Sequence, residues 1–436
     1  MLRPAGSPWD TFRTAPFRTG SVRLLRALAL LAVSGPAFAG VRTVAPTGAD
    51  HAQIASAVAA AAPGDVILVR TGNYGSFSID GLGLTLVADT NATPLVQGPV
   101  LIRNVPAGSN VTIAGLRFGA ASTSALTILD CAGSVRVVDV LAWVSPAPFQ
   151  AEVAAVRVER SSDVAFARAT FTGAPGPAPA TRAGAALLVF DSAIALHDSN
   201  LRGGYGIPGT TSGSAGGHGG AALDLRSGSA FVSGTFLSGG SGGAGGLTST
   251  GQLGCSASIA RPGGDGGVGL DAALGSTARV LDSSLVGGPP GAGATTSCGQ
   301  HASDGTVGAA SRGVVSPIAG TARTFTGTIA AREGQSAAFA FRGVPGERVV
   351  LFLADGGSQT WNPVLAGTVL VGIPFWRRIA AGTIGANGEG SSLLTVPELG
   401  PSQTARVLHL QALFVAPSGA SRLSGARPLV LLDAAY

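Results

Sequence analysis

The chain has no lysine. All 28 of its basic residues are arginine, set against 23 acidic ones in 436 positions. Charged residues make up 12% and aromatic residues 6%, and the 45% hydrophobic content leaves ample material for a core, which excludes a disordered polyampholyte. Basic runs are missing as well. Arg3, Arg13, Arg18, Arg23 and Arg26, against the single Asp10, precede Gly40, so most of the formal net charge of +5 belongs to the first 39 residues. The remainder has no electrostatic footprint for nucleic acid or an anionic membrane. No apolar run reaches the ~20 residues that cross a bilayer, so a membrane-spanning chain is not expected. No C-x-x-C pair occurs, which speaks against structural zinc. Glycine is the exception to this scarcity: its 67 copies are about twice the usual share.

Residues 13–26 are arginine-rich, Ala27 to Val33 is a short apolar run, and Ala37-Phe38-Ala39 is a small-x-small cleavage site before Gly40. This order predicts an export leader over 1–39 and a secreted, extracellular or cell-surface protein. Export permits disulfides. Cys255 and Cys298 lie in Gly/Ser-rich stretches and are expected to pair, whereas Cys131, after the apolar run Leu126 to Asp130, reads as a buried small hydrophobe.

Asp50 opens an Ala-rich helix over His51 to Ala62, with Gln53 placed to complete a capping box and Pro63-Gly64 ending it. Short alternating β runs follow from Asp65. One unit then recurs six times: VTIAGLRF at Val111, VRVVDVLAW at Val135, VAFARATFTG at Val164, IALHDSNLRGG at Ile194, AFVSGTFLSGG at Ala230 and ARVLDSSLVGG at Ala278. A second run precedes most copies, so each period holds two strand-like pieces. The spacings of 24, 29, 30, 36 and 48 grow while the strand pieces keep their size, so one connection per period lengthens and insertions collect on one face. A solenoid of stacked parallel strands accounts for this, with the first helix covering its open end and the Gly-rich tracts serving as loops.

The stretch APGDVILVRTGNYGSFSIDGLGLTLVAD, Ala62 to Asp89, resembles the first rungs of secreted right-handed parallel β-helix proteins of the pectate-lyase-like superfamily. The resemblance covers about Thr43 to Val315 and implies an all-β fold: leader 1–39, parallel β-helix with Gly-rich loops 40–315. After Ser316 the glycine-rich coils stop and seven or more strand-like runs suggest a β-sandwich-like module over 316–436. Ala386 to Leu432 is similar to a C-terminal module of secreted bacterial proteins. That superfamily contains lyases, hydrolases, phage tailspikes and adhesins, so the fold leaves the activity open.

Lyase chemistry needs a base beside a cation that neutralises a uronate, often calcium held by clustered acids, and in the resembling lyases the base is commonly Arg or Lys. Candidates are Asp130, Glu159, Asp191 and Asp224 near strand ends, with Arg157 and its neighbours Arg117, Arg136, Arg160 and Arg168. No motif of the resembling enzymes aligns with them, and one acid per coil reads more simply as turn and surface residues. Glycoside hydrolysis needs two facing carboxyls, yet the chain has no Asp-Asp or Glu-Asp pair. His197 and Asp198 are adjacent, so on a strand they point to opposite faces, and His197 reads as an exposed strand residue. GGVGLDAAL, Gly266 to Leu274, matches most of a calcium nonapeptide around Asp271 but occurs once, which favours a turn leading into a strand over a metal site. His218, Asp265, His301 and Asp304 lie in the Gly-rich tracts. The expectation is a non-catalytic scaffold that requires no cofactor and displays glycine-rich loops to polysaccharide or other cell-surface components. Its rival is a polysaccharide lyase or glycoside hydrolase, for which calcium would be the cofactor.

Overall fold

Stacked parallel strands fill the chain from Val41 to Ile318. The computed structural model describes residues 39–145, 153–210, 213–249, 258–373, 375 and 377–436. Residues 1–38, which hold most of the expected leader, lie outside them, as does Cys255.

Each period contributes three strands, one more than the two expected. The third is a three- or four-residue piece such as Thr170–Thr172 or Asn200–Arg202, too short to stand out from the turn beside it. The first ladder runs through Phe77–Asp80, Val100–Arg103, Leu126–Leu129, Val156–Glu159 and the start of Leu187–His197. The second runs through Val66–Val69, Thr85–Ala88, Asn110–Ala114, Ser134–Val138 and Val164–Ala167 to the end of Leu187–His197. The third carries Arg117–Ala120, Leu141–Val144, Thr170–Thr172, Asn200–Arg202 and Phe236–Ser238. Alternate residues point inward, and Ile79, Ile102, Ile128, Val158 and Val189 stack with no exposure to water.

Two corners of the coil demand left-handed backbone. Gly81, Asn104, Asp130, Arg160, Asp191 and Ser227 occupy it at one corner, and Gly115, Asp139, Arg168, Asp198, Gly234 and Asp282 at the other. Asp and Asn tolerate this conformation better than most other side chains, which accounts for Asp130 and Asp191 at the first corner and Asp139, Asp198 and Asp282 at the second. Behind the corners runs a hydroxyl ladder: Ser161 and Ser192 Oγ each accept the backbone N–H of the preceding coil, and Ser199, Thr235 and Ser283 do the same at the second corner.

The first helix is shorter than expected, Ile54–Ala60, and Gln53 makes no side-chain cap. Its Oε1 instead accepts the N–H of Gly75, while Asp50 accepts from Thr43, because this segment bridges back to the first strand at Val44. Ile54, Ala57 and Val58 are buried, and the helix packs against Val41–Val44, Val66–Val69 and Phe77–Asp80.

The Gly-rich tracts are not loops. Segments 203–209, 239–246 and 287–293 run outward, and 216–222, 261–269 and 302–310 return. Gly203, Gly206 and Gly209 donate to the carbonyls of Ser238, Ser241 and Ala244, and Gly239, Gly242 and Gly245 donate in turn to Val286, Pro289 and Ala292. The bonds recur every third residue, the period of a polyproline-II-type helix rather than the two-residue period of a strand. Bonds also tie the outward layer to the returning one, along Gly220 to Gly204, Gly240 to Gly220, Gly267 to Gly240, Gly288 to Gly267 and Gly308 to Gly288. The glycines thus build a two-layered slab that continues the coil. A β-carbon on Gly206 would lie 1.9 Å from the carbonyl oxygen of Gly217, so backbone approach, rather than flexibility, fixes the residue type.

From Thr324 onward the strands pair antiparallel, except that Ala330–Arg332 runs parallel to Ser421–Leu432. Thr324–Gly327, Ser336–Arg342 and Glu389–Thr395 form one sheet; Ala330–Arg332, Ser421–Leu432, Ala405–Val415, Arg348–Ala354 and Arg377–Thr383 form another. Phe325, Phe339, Phe341, Leu351, Leu410, Phe414 and Leu429 share a core between them. The back of the five-stranded sheet lies on the second parallel ladder, where Val430, Leu432 and Ala405 meet Val66, Leu68, Val87 and Ala114, and Leu413 and Ala426 meet Ala165 and Ala195. Phe38–Tyr436 accordingly forms one compact unit.

Candidate functional site

The strand register gathers most of the candidate residues on the outer face of the first ladder. Thr127, Arg157, Leu188, Asp224, Asp271 and Arg312 are successive neighbours across it, and Leu129, Glu159, Phe190 and Arg226 form the next column. Asp130 and Asp191 sit at the adjoining left-handed corner.

Arginine partners occupy nearly every acid on this face. Arg160 grips Asp130 with two bonds of 2.6 and 3.0 Å, and this hydrogen bonding holds the Asp130 carboxyl below the usual carboxylate range. Glu159 pairs with Arg157 and lies 3.6 Å from Arg160. Asp224 takes 2.7 and 3.1 Å bonds from Arg226 and is 8% exposed, a buried strand residue rather than the expected solvated surface position. Asp271 stands 4.0 Å from Arg182 on the strand Leu270–Ala272. Asp80, which the sequence reading passed over, repeats the scheme with Arg103 and Asn104. Among the described residues no three His, Cys, Asp or Glu side chains converge as a metal-binding group.

Two of the candidate arginines belong to a different structure altogether. Arg136 is buried, 2.6 Å from Asp163, and reaches the carbonyl of Leu370 at 3.4 Å. Arg168 pairs with Asp139 and donates to the carbonyl of Phe325 at 2.9 Å. Both anchor the C-terminal sheets to the ladder. Asn110, accepting from Gly357, Thr324, donating to Asp198, and Arg427, beside Asp139, complete the seam. His197 lies in it too. It is 1% exposed, against Phe231, because the C-terminal sheet covers the strand that would otherwise leave it in water. Burial lowers its pKa to about 4, and burial raises that of neighbouring Asp198 to about 6. Nothing in the local sequence distinguishes these seam residues, since their partners across the seam are more than 100 positions away.

On the slab, His218 accepts the N–H of Asp265 at 3.0 Å, and Asp265 in turn accepts from Thr306 at 2.7 Å, one row across three returning segments. His301 contacts Thr295 at 2.9 Å and Asp304 at 3.4 Å in a separate hairpin, so these four residues form two pairs rather than one cluster. Cys131 is buried and free, and burial pushes its thiol pKa up. Cys298 sits in an exposed turn.

No protein-family model matches the chain, and no curated protein matches it. Among solved structures, a superoxide reductase (neelaredoxin) from Ignicoccus hospitalis is similar at 10% identity over 25% of this chain and 80% of that one, with a TM-score of 0.15. A likeness so slight carries no argument about fold or activity.

Proposed function

We propose that this is an exported, non-catalytic scaffold: a right-handed parallel β-helix with a β-sandwich module folded back on it, which holds a glycine slab rigidly for surface attachment or for binding polysaccharide or other cell-surface components. The observation that carries this reading is the pairing of Asp130, Glu159 and Asp224 with arginines and the place of Asp191 at a coil corner. The ordered slab supports it as well, since inserted segments on a rigid frame are where recognition is usually placed. Cys255 and Cys298 are proposed to staple neighbouring hairpins of the slab, an arrangement that leaves Cys131 as the one free thiol in the denatured, non-reduced protein.

The test is incubation of the exported chain with acidic and neutral polysaccharides, with calcium and with chelator, following both chain shortening and retention. Retention without shortening is the expected result. Shortening that chelator abolishes would replace this reading with a calcium-dependent lyase or hydrolase working on the first ladder.

A further inference from the structure

The expected cleavage site meets the fold at a buried carboxylate. Asp65 ends the turn after the first helix, just before the strand Val66–Val69, and is 3% exposed. Its Oδ1 accepts the backbone N–H of Gly40 at 2.8 Å, while Oδ2 accepts from the Ala62 N–H at 2.9 Å and from Arg42 Nε at 3.1 Å. Gly40 is held from its other side as well, since its carbonyl accepts the N–H of Val66 at 2.8 Å. A β-carbon on Gly40 would lie 3.0 Å from Asp65 Oδ1, a closeness that favours glycine.

The motif Ala37-Phe38-Ala39 puts the cut of an export peptidase at the Ala39–Gly40 bond. Hydrolysis breaks the C–N bond there: water gives its oxygen to the Ala39 carbonyl, which becomes a carboxylate, and both protons to the Gly40 nitrogen, which becomes an ammonium. That nitrogen already stands within hydrogen-bond reach of Asp65. The uncut chain offers the carboxylate a neutral amide, whereas the cut chain offers a full positive charge, and charge-assisted bonds are roughly twice as strong as neutral ones. Before the cut Ala39 is tied elsewhere: it bridges Ala405, and its carbonyl accepts the Thr404 hydroxyl at 2.8 Å.

From this we infer that Asp65 is the receptor for the N-terminus that leader removal creates at Gly40, an assignment that rests on export as proposed above. Processing then fastens the first strand to the coil through an ion pair that the uncut chain lacks.

Mass spectrometry of the exported chain gives its first residue, and Gly40 is expected. With no lysine in the sequence, the α-amine is the one aliphatic primary amine, so acetylation in urea followed by refolding removes that charge selectively. Acetylation is expected to lower the folding equilibrium constant about tenfold in the parent chain and less than about twofold in Asp65→Asn, read from urea unfolding. Arg42→Gln removes the other cation bound to Asp65 and gives a second reading, in which the acetylation loss should be at least as large as in the parent. No acetylation loss in the parent, equal losses in the parent and Asp65→Asn, or a smaller loss in Arg42→Gln would overturn the ion pair and leave export standing. A first residue other than Gly40 would overturn the assignment of the processed bond, and a chain that keeps its leader would refute the export reading and this inference with it.

Discussion

Gly240 packs so closely on Gly204 that a β-carbon on the former would stand 1.8 Å from the carbonyl oxygen of the latter. The same approach recurs through the slab, where Cα–H groups face carbonyls and every interior segment bonds to neighbours in both layers. Gly240→Ala therefore forces two backbones apart. The expected cost is about 3 kcal/mol, read as a lower denaturation midpoint, whereas Gly275→Ala, in an open turn, should cost about 1 kcal/mol from its left-handed backbone alone. Equal midpoints for the two variants would contradict the slab.

Val307 stands in the last returning segment where Gly219 and Gly266 stand in the two before it, since Gly219 donates to Asp265 and Gly266 to Thr306. At the earlier positions a β-carbon would strike the backbone of the next segment; Val307 meets no such segment and is 70% exposed. Its side chain blocks further stacking, as a charge or bulge blocks the edge of a sheet. Val307→Gly combined with Asp304→Gly is expected to self-associate more than the parent chain at equal concentration, measured by sedimentation velocity. Identical profiles would remove the blocking role.

Buried Arg136 and half-buried Asp163 pair under the C-terminal sheet. Breaking such a pair from one side leaves an uncompensated charge, so Arg136→Ala should cost about 3 kcal/mol and expose the 319–323 connection to protease. Replacement by methionine together with Asp163→Asn should recover much of the loss. A single variant as stable and as protease-resistant as the parent would show that the seam does not depend on this pair.

The seam also predicts a pH response. Burial lowers the pKa of His197 to about 4 and that of His409 to about 3, so between these values and about 6.5 the unfolded chain binds protons that the folded one refuses. Stability should fall as pH drops below about 6.5. Asp198 acts in the opposite sense: raised to about 6 by burial, it costs stability above that pH, and the cost is lost as pH falls toward its ordinary value of about 4. Two histidines outweigh one carboxyl, so the net slope is a loss on acidification. Asp198→Asn keeps an oxygen for the Thr324 hydroxyl and should gain about 2 kcal/mol at pH 8 with no gain at pH 4. Urea midpoints at pH 8, 6 and 4 check both signs, and an Asp198→Asn gain independent of pH would contradict the assignment.

Parallel stacking was legible in the repeats at Val111, Val135, Val164, Ile194, Ala230 and Ala278, because an inward-facing apolar pattern repeats whenever the same rung repeats. The reading of Asp130 and Asp191 as coil-turn residues was also within reach, since left-handed corners select Asp and Asn locally. The third strand was too short to separate from its turn, and the slab was hidden because a three-residue glycine period looks like loop composition until the bonding partners are known.

The amino-acid sequence by itself determined the coil, its all-β character, the rarity of charge and the absence of a paired-carboxylate motif, all of which follow from local pattern and composition. The tertiary structure alone decided that the glycine tracts are ordered, that Arg136, Arg168 and His197 belong to a seam, and that Asp130, Glu159 and Asp224 are bound by arginines. These depend on contacts between residues on different coils, or more than 100 positions apart, which side-chain periodicity along one strand does not encode.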